Sequence, residues 1–382
     1  MREAGAVFEP FSTRFNLVRP VLPDMDEIAD DIQEILSTGM VTKGRYLRKF
    51  EEAVAAHLGV KHAVGVSSCT IGLMLTYQAL GLTGNAVVPS FTFMATVSSL
   101  VWAGVRPVFA DVDLGTATIS PEAVEEAITP DTSAIVAVHT FGNPADIASL
   151  EGVAERHGLT LVFDAAHGFG AMFEGRPVGP QGSAQVFSLS PTKLLIAGEG
   201  GIVATNDGGL AERVRMGREY GNDGAYNSAF AGLNGRLSEF HALLGLRSLD
   251  RLEGAARRRD EIAGIYRRLL GRLPGIGFHE VRAGNRSSYK DFSLMVDAGT
   301  FGMSRDELAR ALAAQNVDSR AYYNPPVHRH SAYKHFAAGA SLPNTDLLAN
   351  TSLSIPIWSD MNDVSARAVC RSVELAQEAA AS

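Results

Sequence analysis

Three groups in this 382-residue chain have the types and settings that support chemistry: a lysine, a strand-end carboxylate and a run of small hydroxyl residues. Lys193 lies in VFSLSPTKLLIAGEGG, residues 186–201, between a short apolar run and a glycine-rich turn. A lysine amine desolvated in such a connection loses its proton more readily and can form an imine with a carbonyl. An ordinary surface lysine is the competing account, and the stretch alone does not decide. Asp164 closes the apolar run TLVFD, while Ser67, Ser68, Cys69 and Thr70 follow the apolar run 62–66. Small hydroxyl residues at a helix start bring backbone N–H groups, hydroxyls and the helix dipole to one point, an anion site in outline. Plain N-capping needs only one of those hydroxyls, and Asp164 is equally suited to cap the segment after it.

The elements that must position these groups follow from the spacing of apolar residues. Helices are predicted over 24–36 and 47–58, the second stopped by Gly59. Strands at 62–66, 86–89, 106–112, 134–139, 160–164, 186–189 and 201–205 alternate with helices, one running to 80 and others at 92–103, 121–128, 146–157 and 207–218. Such alternation predicts a mostly parallel seven-stranded sheet with helices on both faces, whose ligands sit at the carboxyl ends of the strands. After a Gly/Asn-rich loop at 220–234, residues 237–270 read as a long helix bent or broken near Gly254. The remainder reads as α+β, with strands near 278–281 and 290–296 and a helix at 305–315. The expected organisation is a large α/β domain over 1–250, opened by an irregular arm over residues 1–20, and a smaller α+β domain over 251–382. The proline-fixed loop at 322–328 offers Tyr322 and His328 as substrate candidates, although aromatics in such loops are more often packing.

Composition narrows the function class. A formal charge of −8 gives no basic excess to neutralise phosphates, which argues against nucleic acid as partner. The local run Arg247–Arg259 alternates with Leu and Ala and reads as a solvated helix face. Cys69 and Cys370 are too few and too far apart for a disulfide framework or a metal site, so no metal is expected. The first residues lack the apolar stretch of a signal peptide, and no window is long enough for a membrane span, so the expectation is a cytoplasmic protein with no membrane partner.

Taken together, a phosphate cradle at Ser68–Thr70, the strand-end Asp164, the imine-capable Lys193 and the aromatics Phe91 and Phe93 past a strand end are what pyridoxal 5'-phosphate requires. The phosphate needs a helix N-terminus, the pyridinium nitrogen a carboxylate, the aldehyde a lysine and the ring an aromatic face.

The order HAVGVSSCTIGL, VVPSFTFMAT, GVRPVFADVD, AIVAVHTFGNPADI, VFDAAHGFGA, FSLSPTKLLIAGEGG and GLNGRLSEFHALLGL resembles the DegT/StrS family of PLP-dependent sugar aminotransferases, from about residue 19 to 327. The resemblance implies fold type I architecture and a homodimer with shared active sites. It implies that Lys193 carries the cofactor as an imine, that Asp164 meets the pyridine nitrogen and that Phe93 stacks on the ring. Ser68, Cys69, Thr70 and Ser188 would hold the phosphate, and Asn234 would reach the phosphate of the neighbouring subunit's cofactor. His167 stands where the family usually has Gln, which makes that ring contact more basic and more pH-sensitive. Cys69 replaces a commoner Gly, and Gly235 replaces an aromatic.

The implied reaction passes an amino group from a donor, L-glutamate by expectation, to a keto group on a nucleotide-linked sugar. C4 of a 4-keto-6-deoxyhexose is favoured over C3 of a 3-keto sugar, and Arg236 is a candidate for a donor carboxylate or a substrate phosphate. Two other classes compete. Ser190-Pro-Thr-Lys193 fits the S-x-x-K pattern of serine acyl-enzymes, but no S-D-N or K-T-G triplet completes it. A non-catalytic regulatory protein on the same fold would have no need to keep Lys193, Asp164 and the phosphate residues together.

Overall fold

The computed structural model describes residues 11–380, so residues 1–10 of the expected arm lie outside the described residues. In chain order the first elements are α1 (Ala29–Thr38), α2 (Arg45–Leu58), β1 (His62–Val66), α3 (Cys69–Ala79), β2 (Asn85–Pro89), α4 (Met94–Trp102) and β3 (Arg106–Ala110). There follow α5 (Pro121–Ala127), β4 (Thr132–Val138), α6 (Ile147–His157), β5 (Thr160–Asp164) and a small hairpin of β6 (Met172–Phe173) and β7 (Arg176–Pro177). Next come β8 (Ala184–Ser188), β9 (Gly201–Thr205), α7 (Gly208–Gly217), α8 (Glu239–Asp250) and α9 (Leu252–Leu270). The chain ends with β10 (Ile276–Phe278), β11 (Phe292–Val296), α10 (Ala298–Phe301), α11 (Arg305–Ala314), α12 (Pro343–Thr351), β12 (Ser352–Ile355) and α13 (Asp363–Ala380).

Seven strands form one sheet in the order β1-β9-β8-β5-β4-β2-β3. All neighbours pair parallel except those of β9, which runs antiparallel to both β1 and β8. The strands are apolar on both faces because successive side chains alternate sides. Ile135, Leu161, Phe163 and Ile202 pack with Phe50 and Val54 of α2 and Leu150 and Val153 of α6. Val136, Val162 and Val203, displaced by one residue, pack with Leu73 of α3, Leu100 of α4 and Val214 of α7. The fold is thus α/β with a mostly parallel seven-stranded sheet between two helical layers. A separate core of Ile262, Tyr266, Phe292, Leu294, Leu312, Leu353 and Val373 surrounds the antiparallel sheet β10-β11-β12.

The long helix expected over 237–270 is broken at Arg251 rather than near Gly254, which lies inside α9. The cause is packing: α8 lies against α2 and α9 against α13, so the axis must turn between two cores. The segment that follows residue 10 also serves the second core, since Phe15 bridges to Val317 and its ring lies 4.8 Å from that of Trp358.

The entry to α2 is capped across the fold. Gly44 offers no side chain, and Glu239 of α8, 1% exposed, accepts from the N–H groups of Gly44 (2.9 Å), Tyr46 (2.8 Å) and Leu47 (3.0 Å). Glu239→Ala strands three buried donors at once and should destabilise the protein by at least about 3 kcal/mol, each buried donor left unsatisfied costing roughly 1–3 kcal/mol. Denaturant unfolding checks it; a loss below roughly 1 kcal/mol would show that water replaces the carboxylate.

Candidate active site

The carboxyl ends of β5 and β8 and the start of α3 meet at a cavity of about 400 Å³, within the range of small-molecule pockets. Ser68, Cys69, Thr70, Phe93, Asp164, His167, Ser188, Lys193 and Tyr322 all line it. Asn234, Arg236 and His328 do not. Asn234 is exposed and bridges to Glu219, and Arg236 pairs with Glu219 (3.3 Å) over the ring of Tyr220. His328 shares a hydrogen bond with Ser90 Oγ (2.8 Å) and faces Asp346 (3.5 Å).

Lys193 sits in the connection from β8 to β9, whose ends are adjacent because these strands are antiparallel. The connection is tied down at several points. Leu189 N–H donates to Gly200 O (3.0 Å), Ala197 N–H to Leu189 O (2.9 Å) and Ile196 N–H to Ser248 Oγ of α8 (2.9 Å). Gly201 then lets β9 press on the start of α3, since a Cβ there would lie 2.6 Å from Cys69 N. Burial, reinforced by the charge of Lys290, brings the Lys193 amine down to about 8. A base in this state accepts a proton near neutrality, which an ordinary surface lysine does not.

Asp164, 4% exposed, accepts from Thr96 Oγ (2.7 Å) and from Ala166 N–H (3.1 Å). The second bond is the cap considered from the sequence, so Asp164 both caps and faces the cavity. Burial raises its carboxyl, while the Thr96 hydroxyl, the Ala166 N–H and the Lys193 charge oppose that rise. Ser68 likewise caps, its Oγ accepting from Ile71 N–H (3.1 Å). The other N–H groups of the first turn of α3 have no partner within the helix. Burial and the nearby Asp164 charge push the Cys69 thiol well up, so it stays protonated.

Two expectations change. Burial first, then the charges of Lys193, Lys290 and Arg259, hold His167 well below its ordinary value; its ring is neutral rather than a more basic, pH-sensitive contact. Nor is the basic run at 247–259 simply a solvated face. Arg247 pairs with Asp31, while Arg259 is 1% exposed and donates to the carbonyls of Tyr289 (3.0 Å) and Lys290 (3.4 Å). Phe91, grouped with Phe93 in the sequence, is fully buried, edge-on to Phe141 and Tyr323; only Phe93 faces the cavity.

The cavity also has lining that the sequence did not single out: Thr96, Lys290, Asp291 and Tyr323. For Lys290 and Asp291 a signal existed, two adjacent charges at the head of an otherwise apolar strand run.

The sequence profile of the DegT/DnrJ/EryC1/StrS aminotransferase family matches residues 23–374. The chain is 35% identical over 353 residues to the spore coat polysaccharide biosynthesis protein SpsC of Bacillus subtilis (strain 168), covering 88% of this chain and 91% of that protein. It is 31% identical over 351 residues to the dTDP-4-amino-4,6-dideoxy-D-glucose transaminase of Escherichia coli, covering 91% and 94%. Among solved structures, DesI in the presence of its TDP-sugar product superposes with a TM-score of 0.91 at 37% identity, covering 98% of this chain and 95% of that one. Among the described residues no helix is long and apolar enough to cross a membrane. With a profile that spans nearly the whole chain and relatives aligned along most of their length, this protein belongs to the DegT/DnrJ/EryC1/StrS aminotransferase family and is an aminotransferase.

Proposed function

We propose that the protein uses pyridoxal 5'-phosphate to move an amino group from L-glutamate to a keto carbon of a nucleotide-linked deoxysugar, at C4 of an NDP-4-keto-6-deoxyhexose. The observation that carries this reading is the convergence of Lys193, Asp164 and the start of α3 on one cavity. The 4-position draws on the relative named a 4-amino-4,6-dideoxy-D-glucose transaminase, and the nucleotide-linked acceptor on the neighbour solved with a TDP-sugar product.

The residues present fit the cofactor. His167 Nδ1 is buried with no protein partner, which suits a polar ring substituent. The first turn of α3, with Thr70 and Ser188 beside it, suits a phosphate. When bound, pyridoxal phosphate supplies an electron sink that no side chain offers. Asp164 would hold a proton at the ring nitrogen through its carboxylate. Phe93 would cover a ring face, and the apolar Leu73 and Val138 also line the cavity. Lys193 Nζ would anchor the cofactor and, once released, would take and return a proton at the reacting carbon.

Holoenzyme mixed with glutamate should lose its long-wavelength cofactor band, and a panel of keto-sugar nucleotides should yield a product aminated at C4 by NMR. Amination at C3 would move the position. A protein that takes up no cofactor would end the reading.

The active form in this proposal is a homodimer with shared sites, each chain divided into units 1–250 and 251–382, working in the cytoplasm, where two free cysteines are at home. The exposed Phe93, Met94, Val101 and Trp102 at α4 suit an apolar contact beside the cavity. Asn234 and Arg236, away from their own chain's cavity, would serve the neighbour's. Mixing Lys193→Ala with Asn234→Ala chains then puts both lesions in one site and leaves the other intact, so each heterodimer should recover roughly half of the parent activity. Verified heterodimers with no recovery would show that Asn234 serves its own chain.

A further inference from the structure

Beside the Lys193 region, the cavity has a wall from the C-terminal part of the chain, made by Lys290, Asp291, Tyr322 and Tyr323. Lys290 Nζ lies 2.9 Å from both carboxylate oxygens of Asp291, with side chains 6% and 2% exposed. Taking two charges out of water costs desolvation that their attraction repays only in part, and an apolar pair of the same volume serves stability as well. Stability therefore does not account for the pair.

The surrounding structure holds it in place. Tyr289 sits at φ 45, in the left-handed region that a bulky residue enters at a cost. Its N–H donates to Ser287 Oγ (3.1 Å), and the Lys290 N–H donates to Phe141 O (3.0 Å) in the connection after β4. From behind, the buried Arg259 guanidinium grips the Tyr289 and Lys290 carbonyls. The Lys290 ammonium also lies 5.3 Å from the centre of the Tyr322 ring.

We propose that the Lys290–Asp291 pair, with Tyr322 beside it, is the subsite that reads the hydroxyl groups of the acceptor's sugar ring. The inference rests on the nucleotide-sugar reading above and deepens it. An ammonium retains a third donor and a carboxylate retains lone pairs after they have bonded to each other. A sugar hydroxyl is at once donor and acceptor, so neighbouring hydroxyls match such a pair, and the ring's C–H face matches an aromatic. A carboxylate or phosphate ligand fits less well, because Asp291 would repel what Lys290 attracts. The opposite assignment of duties is already filled, with Ser68, Thr70, Asp164 and His167 engaged by the cofactor in the proposed function.

The test uses the double variant Lys290→Met/Asp291→Asn, which removes both charges at near-constant volume and leaves neither one buried alone. A dTDP-linked 6-deoxyhexose and bare dTDP are titrated by calorimetry into wild type and variant, both cofactor-loaded, with thermal melts as a check on folding. The wild type should prefer the sugar nucleotide. The variant should bind it roughly 10- to 100-fold more weakly, as expected for lost hydrogen bonds to charged groups, with dTDP affinity changed less than about 3-fold. If the double variant does not fold, Lys290→Arg, which keeps charge but moves the donors, should show the same selective loss. An unchanged preference for the sugar overturns the inference alone. So does a collapse of the glutamate step with sugar binding intact, which would make the pair a group acting on Lys193. A wild type that binds neither ligand overturns the nucleotide-sugar reading, and the inference falls with it.

Discussion

Lys193→Ala should fold, with its transamination rate down by roughly 10⁴ or more, because in the proposed function one amine would supply both the covalent anchor and the proton transfer, and general acid–base catalysis alone contributes up to about 10⁴. The amine is prepared for the second task. At about 8, set by burial and the Lys290 charge, it is neutral in about one molecule in ten at pH 7, far more often than a free lysine. The same shift leaves a mark on the cofactor-free protein. The folded-state value lies below the ordinary 10.5, so between about 8 and about 10 the unfolded chain binds the extra proton and stability rises with pH. The variant should lose that rise. Borohydride trapping gives a second readout, since the parent should carry the cofactor mass on the peptide with Lys193 and the variant should not. Turnover near the parent level would remove Lys193 from the mechanism.

Asp164→Asn should lower kcat by about 10²–10³, the scale for losing one preorganised electrostatic contact at the reacting group, while the cofactor stays bound. The geometry explains the split. In the proposed function the phosphate end would depend on α3, Thr70 and Ser188, which line the cavity and accept nothing from the carboxylate. Thr96 Oγ and the Ala166 N–H both donate to Asp164, and an amide oxygen can accept from one of them. The amide cannot hold a proton on the ring nitrogen as a carboxylate does. Equilibrium dialysis separates retention from catalysis. A kcat within a few-fold of the parent would reduce Asp164 to a cap, and loss of cofactor would make it an anchor.

What was legible in the sequence was local. A strand end, a helix start and a glycine-rich turn are set by neighbours in the chain, and Asp164, Ser68 and Lys193 sit at such places. The alternating strands and helices gave the sheet and its helical layers for the same reason. The reversal of β9 was not legible, because a five-residue apolar run reads alike in either direction. The break at Arg251 reflects two cores that claim two ends of one periodic stretch. Arg259 and the Lys290–Asp291 pair look like surface charges until residues some 30 to 100 positions away enclose them. The apolar run takes in Lys290, but the strand begins only at Phe292, and the two residues before it are free to turn into the cavity. Chemistry carried by tertiary enclosure of ordinary charged residues has no periodic signature.

The ties that hold the connection around Lys193 also decide what can move there. With Leu189, Ile196 and Ala197 bonded to the sheet turn and to α8, the backbone offers the amine a fixed footing. Any travel the proposed function asks of it must come from the lysine's own four-carbon stem. Rotamer hops of that kind take picoseconds to nanoseconds where they are unhindered, against microseconds or longer for loop rearrangement. In the proposed function, proton transfer would then be a side-chain movement that need not wait for any rearrangement of the connection.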